Sequence, residues 1–346
     1  MKYNISIANE VINLYSAKQI AENKYDLVMS LNKMRYNLFK PEFDYSNQLK
    51  KYADIIKKDS VSYKYNSNKK LFTKITDSDE EEIYNLSTKM IDSVSCDQSD
   101  IPTAILIGGQ PGSGKTEIVN KTIREFYKED KTIVLLDLDI YRSLYKNYLS
   151  ILINNSDLYS ILTNNSIGRI AERLSNYVIS KKCNFIFEGT MGKYPYTLEL
   201  LKQSQAKYNI VVKVMAVCRE ESILGIFERY IKQKKATNIG RLTTIEDHDS
   251  RYSNLLNVVS AIERENIEIE VYQRLNNSVN MVYKTSMKNN KYNSAESAII
   301  EAREDSYNDC IISFNKRVDD IVREFTILNE EKKYNNILKK LQQMKK

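Results

Sequence analysis

The stretch Gly109-Gln110-Pro111-Gly112-Ser113-Gly114-Lys115-Thr116 constrains this chain more than any other. It is a full G-x-x-x-x-G-K-[ST] phosphate-binding loop, and such a loop works only between a strand and a helix. Both neighbours are present. Residues 103–107 are a short apolar run with β-branched side chains, the composition of a strand buried on both faces. After the loop, Ile118, Val119, Ile123, Phe126 and Tyr127 recur at helical spacing among charged residues. The glycines let successive backbone N–H groups turn inward around phosphate oxygens. Lys115 adds a point charge at the β- and γ-phosphates, and Thr116 offers a hydroxyl to Mg2+. A bound nucleotide with its metal ion follows from the loop itself.

Glycine also marks the domain plan. All nine glycines lie between residues 108 and 240, and four of them fall within 108–114. A flank without glycine and almost without proline is most easily helical. The expected architecture is α/β: a P-loop kinase-like parallel sheet flanked by helices over residues 75–285, a helical N-terminal arm over 1–74 and a helical C-terminal segment over 286–346. In the arm, breaks are expected at Pro41 and over 62–70. A helix is expected over 77–91, with Ser78 or Asp79 as cap. Further helices are expected over 142–153, 166–180, 220–233 and 249–265. Strands are expected over 132–136, 184–187, 210–217, 267–272 and 279–283. In a sheet of this kind, ligands bind beyond the carboxyl ends of the strands. That rule gathers the phosphate loop, Asp137 with Asp139, and Glu188 with Thr190 at one edge.

Phosphoryl transfer to a hydroxyl needs a carboxylate that orients the acceptor and takes its proton. Asp139 is the candidate; the competing possibility is that Asp137 and Asp139 only cap the next helix. Charge spread over the transferred group needs arginines. Arg229 and Arg241 are the candidates, Arg241 in a loop able to close as a lid, against the ordinary alternative that both are surface side chains. His248, the single histidine, reads as a helix-start or packing residue, and Tyr141, Tyr145 and Tyr148 as edges of the core. Lys and Arg number 52 against 45 Asp and Glu, interspersed along the chain. This pattern gives solvated faces rather than a nucleic-acid stripe. No apolar run approaches the ~18 residues of a membrane span, and Met1 to Ser6 lacks the apolar core of a signal peptide. Cys96, Cys183, Cys218 and Cys310 form no C-x-x-C pair, so neither a zinc site nor a disulfide is expected, and scattered thiols suit a reducing cytoplasm.

The phosphate loop and the series after it resemble the zeta toxin family, the kinase half of epsilon/zeta toxin–antitoxin systems. The series is Asp137-x-Asp139, Glu172 sixteen residues before Glu188-Gly189-Thr190, Glu228-Arg229-Tyr230, and Arg241 seven residues before His248-Asp249. The resemblance covers roughly residues 75–285. It implies an ATP- and Mg2+-dependent, cytoplasmic kinase that phosphorylates the 3′-hydroxyl of the amino sugar of UDP-N-acetylglucosamine and starves peptidoglycan synthesis. Position by position, residues 109–116 would hold ATP, with Thr116 on Mg2+. Asp139 would be the base, Glu172 and Thr190 would hold the sugar nucleotide, and Lys115, Arg229 and Arg241 would neutralise the phosphates in transfer. Tyr145-Lys146 stands where the family often has His-Pro. The family also implies an antitoxin, either a separate protein or residues 1–74 as a fused inhibitor; a docking arm is the alternative. Two other functions stay open from sequence: a P-loop NTPase or switch acting on nucleic acid, and a kinase for another small hydroxyl acceptor.

Overall fold

The computed structural model describes residues 4–40, 42–65, 75–94, 96, 101–156, 159–191, 194–205, 207–276, 278–288 and 291–345. Pro41 and residues 66–70 lie outside the described residues; residues 62–65, expected as the start of the second break, instead continue a helix. The arm is three helices: α1 (Ile5–Ala21), α2 (Tyr25–Asn37) and α3 (Ser46–Tyr65). Asn4 caps α1 by accepting the Ile7 N–H. Helix α4 (Asp77–Asp92) starts one residue earlier than the expected cap. Thr76, not Ser78 or Asp79, is the N-cap, and Asp79 at the third position bonds back to it, a capping box that satisfies two orphan donors at once.

The central region alternates β1 (Thr103–Gly108), α5 (Thr116–Lys128), β2 (Val134–Asp137), α6 (Leu138–Arg142), α7 (Tyr148–Asn155), α8 (Tyr159–Ser180), β3 (Phe185–Glu188), α9 (Tyr194–Gln205), β4 (Asn209–Ala216), α10 (Arg219–Thr237), α11 (Ile245–Glu263), β5 (Glu268–Leu275) and β6 (Ser278–Lys284). Two long helices, α12 (Ala295–Ile327) and α13 (Glu331–Gln343), follow. The expected helix over 142–153 is split: Ser143 turns its hydroxyl onto the Ile140 carbonyl, a side-chain bond that competes with helix propagation. Helix α9, which contains Pro195, was not among the expected helices. The proline sits at the second helical position, where a missing N–H costs nothing.

The six strands form one sheet in the order β2-β3-β1-β4-β5-β6. β1 pairs with β4, and β4 with β5, in parallel. β6 is antiparallel to β5, as it must be, since a connection this short cannot make a crossover.

Two compact units are distinguishable. One comprises Met1–Pro102, Asn120–Phe185 and Lys232–Arg241; the other comprises Thr103–Val119, Ile186–Ile231 and Leu242–Lys346. In the first, α1 packs on α2, α3 and α7, with Ile7, Val11, Ile12, Leu31 and Leu49 in its core. This unit also holds a disulfide, Cys96–Cys183, with Cα atoms 4.9 Å apart and a sequence separation of 87. That corrects the expectation of unpaired thiols: a pairing so remote is announced by no local spacing. In the second unit, α12 and α13 are part of the core. Phe314, Phe325, Tyr334 and Leu341 pack with Phe227 and Tyr230 of α10, and the Tyr230 and Phe325 rings stack at 5.1 Å.

Candidate active site

The phosphate loop lies in the second unit and has the backbone its sequence requires. Gly112 and Gly114 take φ of 78° and 87°, the left-handed region that a side chain disfavours. At Gly112 a Cβ would also stand 1.9 Å from the Ser222 carbonyl oxygen. The loop is anchored from below. Gln110 is fully buried, and its Nε2 donates to the Val217 carbonyl at 3.0 Å and to Ser222 Oγ at 3.2 Å. Ser222 Oγ lies 2.8 Å from His248 Nε2, and His248 Nδ1 lies 2.9 Å from Asp249 Oδ1. Asp249 in turn accepts both arms of Arg219, at 2.8 and 2.7 Å. Burial lowers the His248 pKa; its Nδ1 faces the Asp249 carboxylate and its Nε2 the Ser222 hydroxyl, which also lies 2.9 Å from the Cys218 carbonyl. His248 thus holds the floor of the loop, and its packing role is structural support for the nucleotide grip. Lys115 folds back over the loop, with its ammonium 3.4 Å from the Gln110 carbonyl. This cradle of positive-φ glycines with a lysine across it fits a nucleotide's phosphates, and Thr116 opens helix α5 beside it.

Thr190, two residues past β3, accepts a 2.7 Å hydrogen bond from Arg251 Nη1. Arg251 is itself forked on Asp247. Arg251 was not singled out from sequence. Arg229 lies 3.4 Å from Thr243 Oγ1.

The first unit brings Asp139 and Arg241 together. The cap of α6 is Asp137, whose Oδ1 accepts the Asp139 N–H at 2.8 Å. The Asp139 carboxylate is free of that duty. Its Oδ1 takes Arg142 Nη1 and its Oδ2 takes Arg241 Nη1, each at 2.6 Å. Arg241 is not a surface residue: it is buried, with its N–H on Gln233 Oε1 at 2.9 Å. Its second arm is bound at 2.8 Å by Glu10 Oε2 from α1. Glu10 and Arg241 are 4% and 8% exposed, and Glu10 Oε1 has no hydrogen-bond partner among the described residues. The Tyr159 ring lies 5.9 Å from both guanidinium carbons. Burial works to lower the Arg241 pKa, but the Asp139 and Glu10 carboxylates outweigh it and hold the guanidinium charged. Burial, with the Asp139 charge beside it, pushes Asp137 up to about 6, against the opposing pull of the Asp139 N–H, Arg35 and Arg241. Glu172 is exposed on α8; its neighbours Arg169 and Arg173 pair with Glu80 and Glu81 of α4.

Glu10 was also missed from sequence. The signal was available: a carboxylate within a run of buried residues of α1, Ile7, Ala8, Val11, Ile12 and Leu14, demands a cation.

Comparison with known proteins places the chain in a family. Residues 88–288, more than half of the chain, match the family described as Zeta toxin. The chain is 28% identical over 178 residues to Toxin zeta of Enterococcus hirae, covering 50% of this chain and 61% of that protein. It is 31% identical over 179 residues to Toxin PezT of Streptococcus pneumoniae, covering 50% of this chain and 69% of the relative. A solved structure described as the PezAT chromosomal toxin–antitoxin system of Streptococcus pneumoniae superposes with a TM-score of 0.58 at 24% identity. It covers 74% of this chain and 98% of that one.

Proposed function

The chain belongs to the zeta toxin family, and from that premise we propose that it is an ATP-dependent kinase. Its acceptor is the 3′-hydroxyl of the amino sugar of UDP-N-acetylglucosamine, and it acts in the cytoplasm as a toxin against cell-wall synthesis. The observation that carries this reading is the 2.6 Å pairing of Asp139 with Arg241. A carboxylate able to take the acceptor proton and a guanidinium able to meet the transferred phosphoryl group stand side by side. In the reaction, Lys115 and the loop amides hold the β- and γ-phosphates. The acceptor oxygen attacks the γ-phosphorus, its proton passes to Asp139, and ADP departs. Arg229 and Arg241 spread the charge of the group in flight. When bound, Mg2+ would neutralise charge on the nucleotide's phosphates, and Thr116 would offer it a hydroxyl. Among the described residues there is no group of three His, Cys, Asp or Glu placed to hold a metal. Glu172 and Thr190 are proposed to hold the sugar nucleotide. No helix among the described residues is long and apolar enough to cross a membrane.

The same reading makes residues 1–74 a fused inhibitor. Both oxygens of Asp139 are occupied by guanidinium groups, and Arg241 is tied on its far side to Glu10. The Glu10 bond on the far side of Arg241 would have to break before that guanidinium could meet a phosphate. The arm therefore favours a resting arrangement of its own catalytic residues.

The test is ATP consumption by the full chain against a panel of UDP-sugars and simple hydroxyl acceptors. Phosphorylated UDP-N-acetylglucosamine, absent in Lys115→Ala and Asp139→Asn, is the expected result. ATP turnover indifferent to every acceptor, or stimulated by DNA or RNA in a salt-sensitive way, would instead favour an NTPase acting on nucleic acid.

A further inference from the structure

An arginine distant in sequence reaches the phosphate loop. Arg274, near the carboxyl end of β5, places its guanidinium against Gly114. The position a Cβ would take at Gly114 is 1.9 Å from Arg274 Nη2, 2.6 Å from its Cζ and 2.7 Å from its Nη1. The glycine before the lysine of such a loop keeps that space clear so that phosphate oxygens can approach the backbone. Here a planar cation has entered it. Its recorded partner is Glu117 Oε2 at 3.2 Å, in the first turn of α5, one residue past Thr116. The carboxylate is 49% exposed and the guanidinium 24%, and an ion pair that open to water is weak. The backbone beneath Arg274 is well fixed. The adjacent Gln273 is buried and donates to the Ala302 carbonyl at 3.3 Å and to Asp305 Oδ2 at 3.0 Å.

We propose that Arg274 is a nucleotide-contact residue, whose guanidinium leaves Glu117 and binds the phosphates of the nucleotide seated on Gly114. The exchange is chemically favoured. The arginine fork matches phosphate in two parallel hydrogen bonds, and a nucleotide carries more charge than the single carboxylate it replaces. Arg274 would then join Lys115 as a cation that senses the nucleotide, linking its arrival to the β5–β6 hairpin. The proposal rests on the phosphate loop holding a nucleoside triphosphate.

The experiment measures ATP, ADP and adenosine affinity of the full chain by calorimetry for wild type, Arg274→Ala, Arg274→Lys, Glu117→Gln and Lys115→Ala, with a thermal melt of each. Arg274→Ala is expected to weaken ATP and ADP by about 10- to 100-fold, the worth of a charge-assisted pair, and to leave adenosine unchanged. Arg274→Lys is expected to fall between Arg274→Ala and wild type, and it keeps the test open should the alanine variant not fold. Glu117→Gln is expected to keep or tighten ATP affinity, since it releases the arginine. Unchanged ATP affinity in a folded Arg274→Ala would overturn the proposal. So would equal losses in Arg274→Ala and Glu117→Gln, which would make the pair a structural tie only. Failure of the wild type to bind ATP at all would be a failure of the kinase reading. Loss in Lys115→Ala without loss in Arg274→Ala would be a failure of this inference alone.

Discussion

Glu10→Gln separates restraint from support at Arg241. The amide keeps the size of the side chain and can still accept a hydrogen bond, but it removes the charge. The partners lie 2.8 Å apart and are 4% and 8% exposed. A hydrogen bond to a charged group contributes about 1.5–3 kcal/mol, and making both partners charged roughly doubles a neutral bond. Losing one charge should therefore cost the closed arrangement about 1–2 kcal/mol, well below the Coulomb energy of the bare pair because desolvation offsets most of it. If that arrangement is the dominant resting state, the equilibrium toward a free Arg241 rises by roughly 5- to 30-fold. Acceptor-dependent ADP release at saturating ATP should rise by up to that factor, while urea unfolding shows a loss of about 1–2 kcal/mol. Expression of Glu10→Gln in a bacterial host should slow growth more than wild type does, and adding Asp139→Asn should restore it. A fall in turnover with unchanged stability would refute the reasoning, because it would mean that Glu10 orients Arg241 for the chemistry.

Three other outcomes are expected. His248→Ala should lose about 2–4 kcal/mol of stability and raise the KM for ATP more than it lowers kcat, since the ring touches the loop only through Ser222 and Gln110; an unchanged KM would remove its positioning role. Asp137 has a folded pKa of about 6, raised from 3.8 by burial and the Asp139 charge. The folded state therefore holds that proton more tightly, and stability falls as pH rises from about 4 through about 6; Asp137→Asn, which can still cap α6, should gain on wild type by about 1–3 kcal/mol between pH 4 and 7 in urea titrations, and a difference flat with pH would contradict the shift. Reduction of Cys96–Cys183, or Cys96→Ser, should lower stability by about 2–4 kcal/mol, read as a melting shift with and without dithiothreitol; identical melts would show that the bond does not form in solution.

Much of the fold was legible because local chemistry and topology agree. The glycine loop between an apolar run and a helical stripe fixed β1 and α5. The apolar strands ending at Asp137 and Glu188 fixed where polar side chains emerge. What was not legible depends on distance in sequence. The Glu10–Arg241 pair joins positions 231 residues apart, and no periodicity couples them. Arg274 looked like any strand-end arginine until the Cβ-less face of Gly114 received it. The choice between base and cap for Asp137 and Asp139 was even from position, because both stand just past a strand. Backbone geometry separates them: Asp137 caps α6, and the Asp139 carboxylate is left for the arginines.

The Glu10 contact has a consequence in time. A chain leaves the ribosome from its amino end, so α1 has emerged before the segment bearing Arg241 is made. If the arm restrains Arg241 as proposed, the restraint is made before what it holds, in a ratio of one to one that neither dilution nor proteolysis of a separate partner can alter. Release would then have to come from something that pulls the first helix away.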